Sequence, residues 1–359
     1  MTEEPRRRET VPRPAPRHGR RGSRAELDPR VVVATLTFRR SSDLRRLLDS
    51  LADSVEEAHP LCRAITVLIV DNDSERSSEH VVDEARRRTT QYEGVTLAYL
   101  HVPSPGISTA RNAAIDFAAD QDLLVFVDDD CVTSSGWLVH LITTHRRFRR
   151  AAVAGRVVPS YEHEPTEWNR AQEAFARPSM PTGTIREWAA TNNLLLDVGS
   201  MRAAGLRFAE ELSLIGGEDT LFTRQLTGAG ETLVWCEEAL VHEVVPATRM
   251  ERSWVLRRRF RVGASGVLVC LLATPSVGQV RVRGEHALAG IWEAASGAAN
   301  WVVAWASRSE WRRSRAEGRV AGGLGRLTGA AGWQYYEYER SGRRRLRRAP
   351  GRRARADAL

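Results

Sequence analysis

The apolar residues of this chain fall into short runs separated by polar stretches. VVVATLTF (31–38), AITVLIV (64–70), VTLAYL (95–100), DLLVFV (122–127) and AAVAGRVV (151–158) are rich in β-branched residues. Each has the length of a buried strand and is too short for an ordinary helix. Between the runs the period changes. Leu44, Leu47, Leu48 and Leu51 recur at helical spacing, so residues 41–54 read as an amphipathic helix. Residues 76–90, 107–120 and 134–149 read as further helices, the second entered through a Pro-Ser-Pro-Gly turn. Alternating strands and helices predict right-handed crossovers and an α/β, doubly wound parallel sheet. Ligands of such sheets bind beyond the carboxyl ends of the strands. Two of these strands end in acidic clusters, at Asp71 and at Asp128.

The second half is less regular. Residues 159–190 read as a long loop, and TNNLLLDVGS (191–200) as a strand leading into a short helix. GGEDTLFTRQLTGAG (216–230) is a glycine turn opening an amphipathic helix. ETLVWCEEALVHEVVP (231–246) reads as a strand and a loop, and SWVLRRRFRVGASG (253–266) as a basic helix. Two apolar segments follow, VLVCLLA (267–273) and ALAGIWEAASGAANWVVAWA (287–306). The second carries Trp292, Trp301 and Trp305, but also Glu293. Core packing and an interfacial helix lying in a membrane surface both suit it. No segment offers the uninterrupted span of about 20 apolar residues that crosses a bilayer.

These patterns divide the chain. Residues 1–29 form an Arg/Pro-rich disordered tail and 30–265 the α/β domain. Residues 266–340 form a helical, membrane-proximal extension, and 341–359 a basic disordered tail.

Charge refines the picture. The formal net charge is +8, and with no lysine in the chain it is all arginine. Arginine is dense in residues 6–30 and 343–355, as in solvated tails or segments drawn to an anionic membrane surface. No nucleic-acid reading module accompanies it, which excludes nucleic acid as a partner. The four cysteines are far apart, so a reduced compartment fits better than a disulfide framework or a zinc site. The N-terminus lacks the apolar stretch of a secretory signal. Cytoplasmic work at the inner face of the plasma membrane, as a peripheral protein, is the expected location.

The candidate chemistry is acidic. Asp128, Asp129 and Asp130 repel one another unless a cation joins them, and a hard divalent ion that also holds phosphate oxygens is the natural partner. An exposed acidic turn is the alternative, disfavoured by the position at a strand end. Glu218 and Asp219 follow Gly216 and Gly217 at a helix start, where capping explains them. A general base for an attacking hydroxyl explains them too. Arg258 and Arg261 share one helix face and suit phosphate oxygens. Arg111 and Asn112 open a helix where phosphate or a base could be met. His242 and Glu243 are candidate third metal ligands.

The ordered set VVVATLTFRR, IVDNDS, PGISTARNAAIDFA, LLVFVDDDC, TNNLLL, GGEDTLFTRQLTGAG and VPATRMERSWVLRRRFRVG covers about residues 31–263. It resembles the family 2 inverting glycosyltransferases of the GT-A fold, nearest the branch of succinoglycan-type exopolysaccharide glucosyltransferases. The resemblance implies that Thr37, Asp71 and Asn72 hold the nucleoside and that Arg111 helps bind the nucleotide. It implies that Asp128 and Asp130 are the ends of a D-x-D motif: Asp130 on the metal, Asp128 on the ribose or the metal. It makes Asp219 the catalytic base with Glu218 in support. Arg258 and Arg261 fall where relatives carry a Q-x-x-R-W element touching the diphosphate and acceptor. Here RRRFRVG stands instead, which favours addition of a single sugar over polymerisation. VDNDS replaces the usual V-D-D-G-S, and Cys131 stands where many relatives have an acidic residue.

The resulting expectation is an inverting glycosyltransferase using Mg2+ or Mn2+. Its donor is a nucleotide-diphosphate sugar, most simply a UDP-sugar. Its acceptor is a hydroxyl of a glycan or lipid-linked molecule in cell-surface polysaccharide or glycolipid synthesis. A sugar nucleotidyltransferase and an inactive membrane-binding protein of the same fold are the alternatives. The first lacks its glycine-rich phosphate loop in TLTFRRSSD, and the second has no use for both DDD and GGED.

Overall fold

A computed structural model of the chain describes residues 28–88, 94–338 and 346–349. The expected tail 1–29 therefore lies almost wholly outside the described residues. The first half follows the alternation read from the sequence. It runs β1 (Arg30–Thr37), α1 (Ser41–Ala58), β2 (Ala64–Asp71), α2 (Glu79–Arg88), β3 (Val95–His101), α3 (Ile107–Phe117) and β4 (Leu123–Val127). These four strands are parallel in the order β3-β2-β1-β4. Their registers align Thr37 with Asp71 and Asp71 with His101, so the polar residues after each strand gather along one carboxyl edge.

Beyond β4 the sheet is not parallel throughout. The chain continues as β5 (Cys131–Thr133), α4 (Trp137–Phe148), β6 (Ala152–Tyr161), α5 (Glu167–Gln172), β7 (Ile185–Arg186), β8 (Asn193–Asp197) and α6 (Val198–Ala203). Then come α7 (Glu218–Gly228) and the long β9 (Leu233–Val245). β8 inserts antiparallel between β4 and β6, and β9 lies beside β6, completing the order β3-β2-β1-β4-β8-β6-β9-β5 with β7 on β9. The expected wholly parallel sheet is thus a mixed one. LLL in β8 is buried on both faces and reads the same in either direction, so its apolar run carries no polarity signal.

Two apolar layers sandwich the sheet. One joins α1 and α4 to Val31, Val33, Ile69 and Val125. The other joins α3, α6 and α7 to Val32, Leu68, Leu124 and Phe126 through a stacked Phe208–Phe222 pair, 4.3 Å between ring centroids. The alternation of burial along β1 assigns its residues to the two layers, as a two-faced strand requires.

A short α8 (Ala247–Met250) leads into α9 (Arg252–Ala273), which crosses the expected boundary at 265/266 without a break. Basic and apolar stretches that read as separate elements form one helix, because no Pro or cap interrupts them. Leu268 and Val269 of α9 pack on Leu212, Ile215 and Leu221, tying the extension to the start of α7. α10 (Gln279–Ala306) and α11 (Glu310–Ala330) follow. α11 lies between α9 and α10 at a spacing that its glycines permit. A Cβ on Gly290 would sit 2.8 Å from the Gly323 carbonyl, and one on Gly325 would sit 2.0 Å from that of Phe260. Among the described residues no helix is long and apolar enough to cross a membrane.

Residues 333–335 and 346–348 pair as antiparallel β10 (Trp333–Tyr335) and β11 (Leu346–Arg348). Part of the stretch expected as a disordered tail, 341–359, is therefore a strand. Gln334, fully buried, donates to the Ala264 carbonyl at 3.1 Å and anchors this return against α9.

Candidate functional site

The carboxyl edge of the sheet opens into one cleft of about 1880 Å³, bounded by α3, α7, α9 and the loops after β1 and β4. Asp128, Asp129 and Asp130 turn the chain from β4 into β5, closed by Cys131 N–H to the Asp128 carbonyl at 3.1 Å. β5 pairs with β9 so that Cys131 lies opposite Glu243. That short strand, invisible in the sequence pattern, brings a fourth carboxylate to the cluster.

Alternation along β9 separates His242 from Glu243. Glu243 lines the cleft, whereas His242 is not among the residues that do. The candidate third ligand is corrected accordingly: neighbouring strand residues face opposite sides of a sheet.

Arginines that the sequence reading did not single out hold this cluster. Arg40 contacts Asp129 at 2.9 Å and Asp130 at 3.3 Å, and Arg249 contacts Asp130 at 2.9 Å. Arg177 holds Glu243 at 2.8 Å. Asp128, set deep in the cleft, is the carboxylate of the three least held by arginine, with Arg111 no nearer than 3.9 Å. Burial, then the neighbouring acids, push Asp128 up to about 7, with Arg111 opposing; burial likewise pushes Asp129 up to about 6. A cation among these oxygens would relieve both effects. No group of three or more His, Cys, Asp or Glu side chains among the described residues forms a metal cage. Asp128, Asp130 and Glu243 offer carboxylate oxygens of the kind that can hold a hard divalent cation together with substrate phosphates.

Two glycines build the other acidic pair. Gly216 and Gly217 have φ of +93° and +95°, and a Cβ on Gly216 would lie 2.6 Å from Arg261 Nη1. Only glycine combines that backbone with that contact. The turn starts α7 with Glu218 buried and Asp219 lining the cleft. Glu218 is clamped by Arg111 of α3, and burial raises its carboxyl while Arg111 opposes. Asp219 Oδ1 accepts from Thr220 N–H at 2.6 Å and Thr220 Oγ1 at 3.3 Å. No described hydrogen bond occupies Oδ2. Of the pair, Asp219 is the accessible carboxylate and Glu218 the buried support.

Arg111 is only 4% exposed and spans from Glu218 towards Asp128, its guanidinium 5.4 Å from the Phe208 ring centroid. Its charge is paired with the buried Glu218, and the residue also lines the cleft. Asp71 departs further from expectation. It is fully buried, absent from the cleft lining, and accepts from Asp73 N–H at 2.9 Å, Ser78 N–H at 2.9 Å and Tyr99 O–H at 3.0 Å. A strand-end aspartate read as a nucleoside ligand is instead the organiser of its own loop. Asp71→Ala is expected to lower stability by about 3 kcal/mol, since three buried donors lose their acceptor. Thermal unfolding of the variant checks it. Thr37 and Asn72 do line the cleft. The buried Thr37 side chain lies beside Asp129, and Asn72 braces the next loop, donating to the Val102 and Ser104 carbonyls, both at 2.7 Å.

Opposite the acids lies a cationic wall. Arg258 rests on the Phe175 and Trp254 rings, 5.5 Å from each centroid, with no ion pair among the described residues. Burial, then Arg261 and Arg177, pull its guanidinium down to about 10. Such a cluster of like charge favours an incoming anion. Arg261 lies against the Gly216 turn, Nη1 donating to the Ile215 carbonyl at 3.4 Å. The chain beyond β10 also reaches this point. Tyr338 N–H donates to the Leu214 carbonyl at 3.1 Å, and the Tyr338 side chain lines the cleft.

The sequence profile described as Glycosyl transferase family 2 matches residues 32–212. The chain belongs to glycosyl transferase family 2. A curated relative, "Succinoglycan biosynthesis protein ExoM" of Rhizobium meliloti (strain 1021), is 34% identical over 234 residues, covering 65% of this chain and 72% of the relative. Among solved structures, S. aureus TarS 1–349 in complex with UDP-GlcNAc is similar with a TM-score of 0.47 and 15% identity, over 86% of this chain and 93% of that one. GalNAc-T7 with UDP, GalNAc and Mn2+ is similar with a TM-score of 0.46 and 13% identity, over 72% of this chain and 54% of that one. This glycosyltransferase is thus an enzyme of sugar transfer, and the nucleotidyltransferase alternative falls. The family profile ends at residue 212. The glycosyltransferase completes its cleft with residues beyond that point, from Glu218 and Asp219 to Tyr338.

Proposed function

We propose that this glycosyltransferase moves a single sugar, with inversion, from a nucleotide-diphosphate sugar to a hydroxyl of a glycan or lipid-linked acceptor. The observation that carries the reading is one cleft that brings together Asp219, the Asp128–Asp130 carboxylates and the arginines Arg258 and Arg261. Its volume exceeds the roughly 300–1,000 Å³ of an ordinary small-ligand site. That leaves room for donor and acceptor together. A UDP-sugar is the expected donor, and Thr37 and Asn72 are placed to meet the nucleoside. Cell-surface polysaccharide or glycolipid synthesis is the setting, in line with the name of the curated relative. The work is done in the cytoplasm, peripherally at the inner face of the plasma membrane.

Asp219 Oδ2 takes the proton of the acceptor hydroxyl as that oxygen bonds to the anomeric carbon. The bond from this carbon to the diphosphate breaks in the same displacement, its electron pair leaving with the phosphate. Attack and departure on opposite faces invert the centre. Arg258 and Arg261 receive the departing charge. A divalent ion, Mg2+ or Mn2+, held by Asp128 and Asp130 with Glu243 nearby, would add charge neutralisation at the diphosphate.

The test is release of nucleotide diphosphate from a panel of nucleotide sugars, with and without the metal. One donor is expected to give slow, metal-dependent release, and Asp130→Ala to lower it by about 100-fold or more, a loss of several kcal/mol. Absence of both release and metal-dependent nucleotide binding across the panel would favour an inactive protein of this fold.

A further inference from the structure

The outward face of α10 carries large apolar side chains at both ends of its last five turns, with exposed alanines between them and Asn300 at the edge. At 3.6 residues per turn, Gly290, Gly297 and Ala304 mark the buried side facing α11. On the outward arc lie Leu288, Ile291, Trp292, Val302, Val303 and Trp305, between 54% and 71% exposed. The acidic residue in this stretch, Glu293, turns inward to Arg326 at 3.4 Å. The face is about 28 Å long at 1.5 Å per residue. A contiguous exposed apolar surface of this extent marks an interaction site.

Resting on the proposed transfer to a membrane-proximal acceptor, we propose that this face of α10 seats the enzyme on an anionic lipid surface. Three features select lipid. Trp292, Trp305 and Trp311 are exposed, and no described bond engages their indole N–H groups. An amphipathic ring of this kind is favoured at headgroup level. Arg308 and Arg312, exposed and without a described ion pair, follow the helix end directly, in a chain of net charge +8. Their charge complements an anionic bilayer. Finally, the helix falls short of a span, so it lies along the surface and does not cross it.

The placement has a consequence for the acceptor. His286 and Glu293, on the inner side of the same helix, line the cleft that holds Asp128 and Arg258. Docking through the outer side therefore holds the cleft beside the headgroups. An acceptor whose sugar is carried on a lipid reaches it without leaving the bilayer.

Flotation of the full chain with phosphatidylcholine vesicles, with and without phosphatidylglycerol, tests the proposal. Binding is expected with the anionic vesicles, weakened by salt and accompanied by a blue shift of tryptophan fluorescence. Trp292→Glu combined with Val302→Glu is expected to lower vesicle affinity at least about tenfold, because it places charge on the outward face that would enter the lipid. Thermal stability and vesicle-free release of nucleotide diphosphate should be unchanged. No binding to either vesicle overturns the proposal, as does binding that the double variant leaves intact. Concentration-dependent dimerisation abolished by the same variant would assign the face to a second copy and also overturn it. Vesicle binding is measured without donor, so loss of donor release in the native chain would count against the transfer reading alone.

Discussion

Asp219→Asn is expected to cut sugar transfer by about 10³-fold while leaving donor affinity within a few-fold of native. The magnitude is that of removing a positioned general base. The direction follows from the geometry of the α7 start. Oδ1 is engaged by Thr220, Asp219 lines the cleft, and no described hydrogen bond occupies Oδ2. Asparagine keeps the shape and the Thr220 contacts and removes the proton acceptor. Nucleotide binding by calorimetry and turnover by diphosphate release separate the two effects. Full activity in Asp219→Asn would end the base assignment. Equal loss of binding and turnover would place Asp219 on the donor instead.

Arg111→Met is expected to lower stability by about 3–5 kcal/mol, because it strands the Glu218 carboxylate in a buried site. In melting temperature that is a fall of roughly 10 °C for a domain of this size. Glu218 Oε2 has no described partner even in the native chain, so the ion pair through Oε1 is its main compensation. Adding Glu218→Gln to Arg111→Met should recover most of the lost stability, since no charge then remains buried. A nucleotide-contact role predicts otherwise: a raised donor KM at unchanged stability, with no rescue by Glu218→Gln. Melting curves of the two single variants and the double one decide between them.

The residue pairs behind these predictions differ in how they are read. Glu218 and Asp219 are adjacent in sequence and equal in charge. What sets them apart in the structure is that Glu218 is buried and Asp219 only partly so. Arg111 and Glu218 are 107 positions apart and meet because α3 and α7 pack on the same face of the sheet. Asp71 stands at a strand end as a nucleoside ligand would, yet its hydrogen bonds are spent on its own loop, at Asp73 and Ser78, and on Tyr99 of β3. Arg40, Arg177 and Arg249 were hidden for a plain reason. In a chain this rich in arginine, residue type says nothing about which side chains face inward.

The sequence by itself determined the strand–helix alternation of the first half, the carboxyl edge as the site, the DDD and GGED carboxylates, and the family. The first three rest on local periodicity or on adjacent residues, which survive any packing of the elements, and the family on a resemblance carried by an ordered set of motifs over residues 31–263. Tertiary structure alone decided the antiparallel insertion of β8 and the pairing of β5 with β9 that selects Glu243 over His242. It also decided the passage of α9 through the expected boundary and the return of Tyr338 to the cleft. These depend on contacts between distant segments and on which face of an element is covered. A pattern of apolar and polar letters records how much of a residue is buried, not what it is buried against.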